Sequence, residues 1–156
     1  MTSPDFERLA FEAATRALDK QERVLEELRA RTGVLVGASS LAAAFLGQRA
    51  FGDPAPVWLA VVALVTFVIS ILTSVYILIP KKNLVFAEIG SGLYEGLFVV
   101  RDDMGEVYRR LTYQLDRFWE SNDLILTRLS RAYGTAALTL VAEILSLAAI
   151  LSGTLF

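Results

Sequence analysis

The amino-acid sequence predicts an all-α membrane protein, with three transmembrane helices and long cytoplasmic helical extensions that form a stalk or bundle. Three apolar runs, at 32–51, 57–79 and 132–156, are each long enough to cross a bilayer. The charged stretches 1–31 and 80–131 carry apolar residues at alternating spacings of three and four, which is typical of packed helices. A chain of 156 residues, 54% of them hydrophobic, therefore predicts one membrane domain over 1–156, without a separate catalytic domain.

Composition argues against several classes of function. The chain has no Cys and no His, so it cannot form disulfides or use thiolate or imidazole groups as nucleophiles or metal ligands. We expect no metal and no resident cofactor. No nucleophile–base pair or phosphate-binding loop is visible, which predicts that the protein is not an enzyme. The 15 basic residues nearly balance the 17 acidic ones, and this balance argues against a nucleic-acid partner.

The central span has the clearest pattern. Residues 57–79 contain 23 residues without a charge, between Pro56 and Pro80. At 1.5 Å rise per residue the run is about 34 Å long, enough for a hydrocarbon core of roughly 30 Å. Trp58 and Tyr76 lie near its two ends, where aromatic side chains usually mark the membrane interfaces. We therefore predict a transmembrane helix over 57–79.

The N-terminal stretch predicts a helix that continues into the first span. No helix breaker separates residues 1–31 from the run 32–51, whose far end holds Gln48 and Arg49 as snorkelling side chains. The apolar seam of the charged part consists of Phe11, Ala14, Leu18, Gln21, Leu25 and Leu28.

Gly33 and Gly37 form a GxxxG motif at the start of the first span. Small residues at this spacing let a neighbouring helix backbone approach closely. Two neighbours are compatible with the motif. We favour the second span of the same chain, because the short loop at 52–56 enforces that neighbour; a second copy of the chain is the alternative.

The stretch 80–131 predicts a second cytoplasmic helical segment that leads into the third span. Its seam consists of Met104, Tyr108, Leu111, Leu115, Phe118, Asn122, Ile125 and Leu129. A polar residue such as Asn122 in a seam of this kind usually fixes register or partner choice. The pattern therefore predicts a homo-oligomer held partly by the stalk, with Asn122 at a helix-packing position.

Basic residues at the span ends predict the orientation. Arg29, Arg31, Lys81, Lys82, Arg128 and Arg131 flank one side of the three spans. Only Arg49 flanks the other side. By the positive-inside rule the N-terminus and the segment 80–131 are cytoplasmic, and the C-terminus is outside.

Glu143 is the residue in the spans that we expect to be functional. It lies about midway along the third span, where an ionisable group costs about 2.5–3.5 kcal/mol and should face protein or water. Thr139 and Ser146 share its helical face, and the second span offers the hydroxyls of Thr66, Ser70 and Thr73. Two interpretations stay open. These groups line a conduit made by several protomers, or Glu143 is protonated and hydrogen-bonded within one bundle.

Two segments carry a family resemblance. They are EELRARTGVLVGASSLAAAFLG at 26–47 and FWESNDLILTRLSRAYGTAALTLVAEIL at 118–145. Together with the central span they resemble the small membrane effectors of bacterial nucleotide-signalling anti-phage systems, the SLATT and Pycsar-type transmembrane effector families. The resemblance implies a bacterial inner-membrane protein that disrupts or perforates the membrane when a companion cyclase makes a cyclic nucleotide during phage infection.

The chain departs from this resemblance in having no recognisable nucleotide-binding module. A cyclic nucleotide activator would then bind between cytoplasmic helices, with Arg101, Arg109 and Arg110 as candidate ligands. The leading hypothesis is an oligomeric membrane effector that forms a pore or disrupts the membrane. The alternatives are a non-conducting membrane scaffold and a housekeeping ion channel.

Overall fold

A computed structural model describes residues 3–50, 57–81, 84–86, 97 and 103–153, with the side chains of 5–44 in the first of these segments. Three α-helices are described: α1 spans Ser3–Ala50, α2 spans Val57–Leu78, and α3 spans Met104–Gly153. The described residues contain no β-strand. The predicted all-α class is therefore confirmed for this part of the chain.

The first compact unit combines the described residues of Met1–Glu26 and Lys81–Thr127, and we call it the charged unit. In it α1 buries Ala14, Leu18, Gln21 and Leu25, which lie on the seam expected from spacing. The amide of Gln21 donates a hydrogen bond to the carbonyl of Trp119, with 3.1 Å between Nε2 and O. The charged ends of α1 and α3 therefore pack along their apolar seams.

The second compact unit combines the described residues of Glu27–Pro80 and Arg128–Phe156, and we call it the apolar unit. Its core includes Ala63 of α2 packed with Leu147 and Ile150 of α3, all at most 3% exposed. The opposite faces of the helices present large aliphatic side chains outward, with Leu72 64% exposed and Leu138 72% exposed. Such a surface is unfavourable in water and suits contact with lipid.

Two of the described helices are long and apolar enough to cross a membrane by length and composition: Val57–Leu78, and the part of α3 that lies within Met104–Ser152. These two helices cover residues 57–78 and 132–153 of the apolar segments predicted at 57–79 and 132–156. The segment 32–51 belongs to α1, whose side chains from 45 onward lie outside the described residues. The transmembrane helix predicted at 32–51, and with it the total of three, therefore stays a prediction.

The connection from α2 to α3 differs from the helical segment predicted at 80–131. Residues 84–86 are not helical. The backbone of Val85 is paired with the side chain of Asn122 on α3, at 3.1 Å for its N–H and 2.9 Å for its carbonyl. A backbone N–H that donates to a side chain is not available to donate within a helix. Helical seam spacing alone could not reveal this partner.

Candidate functional site

The Glu143 carboxyl group is buried inside the apolar unit, with 1% of the residue exposed. It projects from α3 towards α1, where the Ser39 hydroxyl donates a hydrogen bond to Oε2 at 2.6 Å. Ser39 is fully buried as well. The second oxygen, Oε1, is buried and has no hydrogen-bond partner among the described residues. Of the two interpretations from the sequence, this arrangement matches a carboxyl group held within one bundle.

The hydroxyl groups on the same face of α3 do not donate to this carboxyl group. Thr139 Oγ1 donates to the carbonyls of Thr135 and Ala136, each at 3.0 Å. Ser146 Oγ donates to the carbonyl of Ala142 at 2.7 Å. Because each hydroxyl has one proton, these two groups can offer Glu143 only their lone pairs.

The three hydroxyl-bearing residues predicted on one face of α2 differ in burial and in their hydrogen-bond partners. Ser70 is buried, and its hydroxyl lies 3.4 Å from the carbonyl of Ala136 on α3. Thr66 and Thr73 are half-buried and donate to carbonyls of their own helix, at 2.9 and 2.6 Å. Ser70 therefore faces the core of the apolar unit, whereas Thr66 and Thr73 lie at its margin.

Sequence reasoning missed two buried serines of the apolar unit. Ser74 is 1% exposed, and its hydroxyl oxygen has no hydrogen-bond partner among the described residues. Ser39 could have been found by extending the α1 seam beyond Leu28 in steps of four, three and four, which reach Thr32 and then Ser39. The prediction ended this seam at the membrane boundary, although the helix does not end there.

Gly33 and Gly37 do not pack against the part of the chain that the structure describes, which includes α2, so the favoured interpretation of the GxxxG motif is wrong. Both glycines are exposed, and a methyl group built on either would meet nothing within 4 Å among the described residues. The reason is rotational register. The buried face of α1 carries Thr32 and Ser39, and at 100° per residue both glycines lie on a different face. A second copy of the chain is the remaining alternative.

Asn122 is fully buried, but its partner is not another helix. Its amide exchanges two hydrogen bonds with the backbone of Val85, which uses one acceptor and one donor of the side chain. The partner expected on another helix is therefore a connecting segment of the same chain, whereas the role in oligomer register stays a prediction. Asn122 fixes the segment 84–86 against α3 within the charged unit.

The candidate ligand arginines on α3 are engaged with an acid of their own helix. Arg109 and Arg110 lie 2.5 and 2.7 Å from the carboxylate of Glu106. The hydrogen bond from Arg110, assisted by the charges of both arginines, holds the pKa of Glu106 below its ordinary value of 4.5. Both arginines are exposed. Arg101, the third candidate, lies outside the described residues.

A basic depression on α1 was not predicted. Its volume is about 210 Å³, and its lining is Arg16, Asp19, Lys20 and Arg23. Three positive groups and one negative group line it, and Arg16 is also paired with Glu12, 3.4 Å away. This depression lies on the charged unit, as do Arg109 and Arg110.

No protein-family model matches the chain, and no curated protein or solved structure matches it either. The site is therefore interpreted from its own geometry: a carboxyl group inside an apolar helical unit, bonded to one hydroxyl group, in the segment of α3 that is apolar enough to span a membrane.

Proposed function

We propose that the protein is an oligomeric membrane effector of a bacterial inner membrane, which perforates or disrupts that membrane when triggered from the cytoplasmic side. The N-terminus and the segment 80–131 are cytoplasmic in this proposal, and the C-terminus is outside. The anti-phage setting and a cyclic nucleotide as trigger rest on the family resemblance alone.

The buried carboxyl group of Glu143 is the observation that carries the proposal. An ionisable side chain in the middle of a membrane segment is costly, by about 2.5–3.5 kcal/mol on insertion scales, and such residues usually belong to pathways for ions or protons. Glu143 has one hydrogen bond, and its second oxygen has no described partner. A carboxyl group selected only for packing would be expected to have both oxygens satisfied.

The outward surface of the apolar unit supports a membrane location. In α2 the residues that share the core face are Ala63, Ser70, Ser74 and Ile77, and most other side chains of this helix are exposed. A helix with exposed aliphatic side chains on most of its circumference is unsuited to water and suited to hydrocarbon.

A conduit that uses Glu143 requires a conformation other than the one described. The carboxyl group faces Ser39 inside one chain, so neighbouring protomers cannot share it without a movement of α1 relative to α3 within the apolar unit. The described conformation is therefore the closed state in this proposal. Association of copies through the open face at Gly33 and Gly37 would bring several such units together.

Ion flux in liposomes tests the proposal directly. Wild type should release a trapped ion when a cyclic nucleotide is added on the side that the cytoplasmic segments face. Glu143→Gln should lower the preference for cations without loss of expression or assembly. Thr73→Val is a matched control, because that hydroxyl donates only to its own helix and lies at the margin of the unit. A wild type that conducts under none of the triggers would contradict the proposal.

A non-conducting scaffold is the second candidate, and the bond between Ser39 and Glu143 favours it. Both residues belong to one chain, so the carboxyl group already has a structural partner. In a scaffold, Glu143→Gln should behave like wild type, since the amide preserves the size and can still accept from Ser39. Glu143→Leu should destabilise the apolar unit by about 0.5–1.5 kcal/mol, because the hydrogen bond between α1 and α3 is lost.

The trigger site needs its own variants. Arg109→Ala and Arg110→Ala test the predicted ligand groups, and Lys20→Ala with Arg23→Ala tests the basic depression on α1. If nucleotide-dependent flux falls only in the Lys20 and Arg23 variants, the nucleotide binds at the basic depression on α1. If nucleotide-dependent flux falls in neither pair of variants, Arg101 remains the candidate ligand from the sequence.

A further inference from the structure

Ser39 differs from most hydroxyl-bearing residues of the apolar unit in the acceptor to which its hydroxyl donates a hydrogen bond. Thr135, Thr139 and Ser146 on α3 each donate to a carbonyl of their own helix, as Thr66 and Thr73 do on α2. Ser39 instead donates to a side chain of another helix, at 2.6 Å. Ser70 also has an interhelical bond, at the longer distance of 3.4 Å.

This bond has a ready competitor inside α1. A serine within a helix can turn its hydroxyl to the carbonyl four residues earlier, which for Ser39 is the carbonyl of Leu35. The change needs only rotation about χ1, between two staggered positions. Ser39 can thus satisfy its proton in either position, whereas the Glu143 carboxyl group loses the one described donor it has when Ser39 turns away.

We propose that Ser39 is the positioning residue that keeps the Glu143 carboxyl group inside the closed apolar unit, and that loss of this bond opens the unit. The inference rests on the proposed function, because an opened unit matters only if Glu143 then meets ions or water. It assigns to Ser39 a role that neither the motif spacing nor the resemblance gives.

The test compares Ser39→Ala with Ser40→Ala. Ser40 is the next residue of the same helix and is exposed, so the control removes the same group from the outer face of α1. Two quantities are measured in liposomes without any trigger: ion flux, and modification of residue 143 by a hydrophobic carbodiimide, located by peptide mass spectrometry. Ser39→Ala should raise both by roughly tenfold, the change expected for loss of one buried hydrogen bond. Ser40→Ala should match wild type.

Two further variants separate a positioning role from damage to the fold. Ser39→Thr keeps the hydroxyl group and should restore wild-type flux and modification. In a Glu143→Leu background, Ser39→Ala should have no additional effect on flux, because a residue that acts through Glu143 has nothing left to position. Additive effects of the two substitutions would overturn the proposal, and so would a Ser39→Ala variant that matches wild type in both measurements.

The same experiment distinguishes failure of this inference from failure of the proposed function. If Ser39→Ala raises carbodiimide modification while wild type and all variants fail to conduct, the positioning role is supported and the effector proposal is wrong. If wild type conducts on triggering but Ser39→Ala changes neither basal flux nor modification, the effector proposal is supported and the role of Ser39 is wrong.

Discussion

At the scale of single residues, two buried polar side chains are bonded to groups far away in the chain. Glu143 accepts from Ser39, and Asn122 pairs with the backbone of Val85. The two sites differ in whether all of their polar atoms have hydrogen-bond partners. The Asn122 pair satisfies both backbone groups of Val85, whereas the Glu143 carboxyl group keeps one oxygen without a described partner. The first arrangement is expected to be rigid, and the second is expected to be open to change.

The Asn122 pair gives a prediction on stability. Asn122→Leu should destabilise the charged unit by about 1–3 kcal/mol, because the N–H and carbonyl of Val85, which is half-buried, then lose the partner that Asn122 provides. Asn122→Asp should fall between this variant and wild type, since a carboxylate can accept from the N–H but cannot donate to the carbonyl. Thermal unfolding in detergent measures both variants.

Asp123→Ala is the control for these variants, because Asp123 is the exposed neighbour on the same helix. It should unfold like wild type. An Asn122→Leu variant that unfolds at the wild-type temperature or above it would support the role in seam packing that the sequence predicts, and would contradict the role assigned from the structure.

At the scale of elements, α1 and α3 each contribute to both compact units. In α1 the buried positions recur with the heptad-like spacing of Ala14, Leu18, Gln21 and Leu25, and the series is resumed by Thr32 and Ser39. One seam therefore changes from apolar to hydroxyl-bearing side chains along the helix. The face with Gly33 and Gly37 is separate from this seam and is open.

The open glycine face gives a prediction on association. Replacing Gly33 and Gly37 together by Ile should lower self-association, since branched side chains prevent the close approach of a second α1. The single chain should not be destabilised, because a Cβ at either position meets nothing within 4 Å among the described residues and Ile favours a helix more than Gly does. Mass measurement in nanodiscs and thermal unfolding report the two effects.

Gly134→Ile is the control for this pair. A methyl group at Gly134 also meets nothing within 4 Å among the described residues, but this glycine lies on α3. It should not alter the mass distribution. Unchanged association in the Gly33 and Gly37 double variant would remove this face as the contact between copies, and a loss of single-chain stability would mean that the face is covered by its own chain.

At the scale of the whole molecule, the two units differ in the medium that they suit. The charged unit carries ion pairs on its surface, such as those of Glu106 with Arg109 and Arg110. The apolar unit carries exposed aliphatic side chains, such as Leu72 and Leu138. A chain that contains both surfaces is expected at a membrane boundary, with the basic residues of the span ends on the cytoplasmic side.

Cysteine accessibility tests this orientation. Ala55→Cys lies between the first two predicted spans, and Asp116→Cys lies at an exposed position of α3 in the charged unit. On intact cells an impermeant thiol reagent should label position 55 and spare position 116, and both should react after lysis. The chain has no cysteine of its own, so each variant reports one position. Labelling of 116 but not of 55 on intact cells would reverse the orientation.

The sequence by itself determined the helical class and the span pattern of α2 and α3. It also determined the buried seam positions Ala14, Leu18, Gln21, Leu25, Asn122 and Leu129, whereas Met104, placed on the α3 seam, is 52% exposed. These properties depend on hydropathy and helical periodicity within one segment, so neighbouring residues suffice to predict them. It also indicated that Glu143 faces inward, because a mid-membrane carboxyl group is improbable against lipid. The first span, at 32–51, and the association of copies stay predictions.

Only the tertiary structure decided which groups meet. Ser39 and Glu143 are 104 residues apart in the chain, and Val85 and Asn122 are 37 apart. The partner in each case depends on the relative rotation of helices and on the path of a connecting segment, and neither leaves a periodic signal in the sequence. For the same reason the sequence could not choose between an inward and an outward GxxxG face, since the register of α1 against its neighbours is set by the whole core.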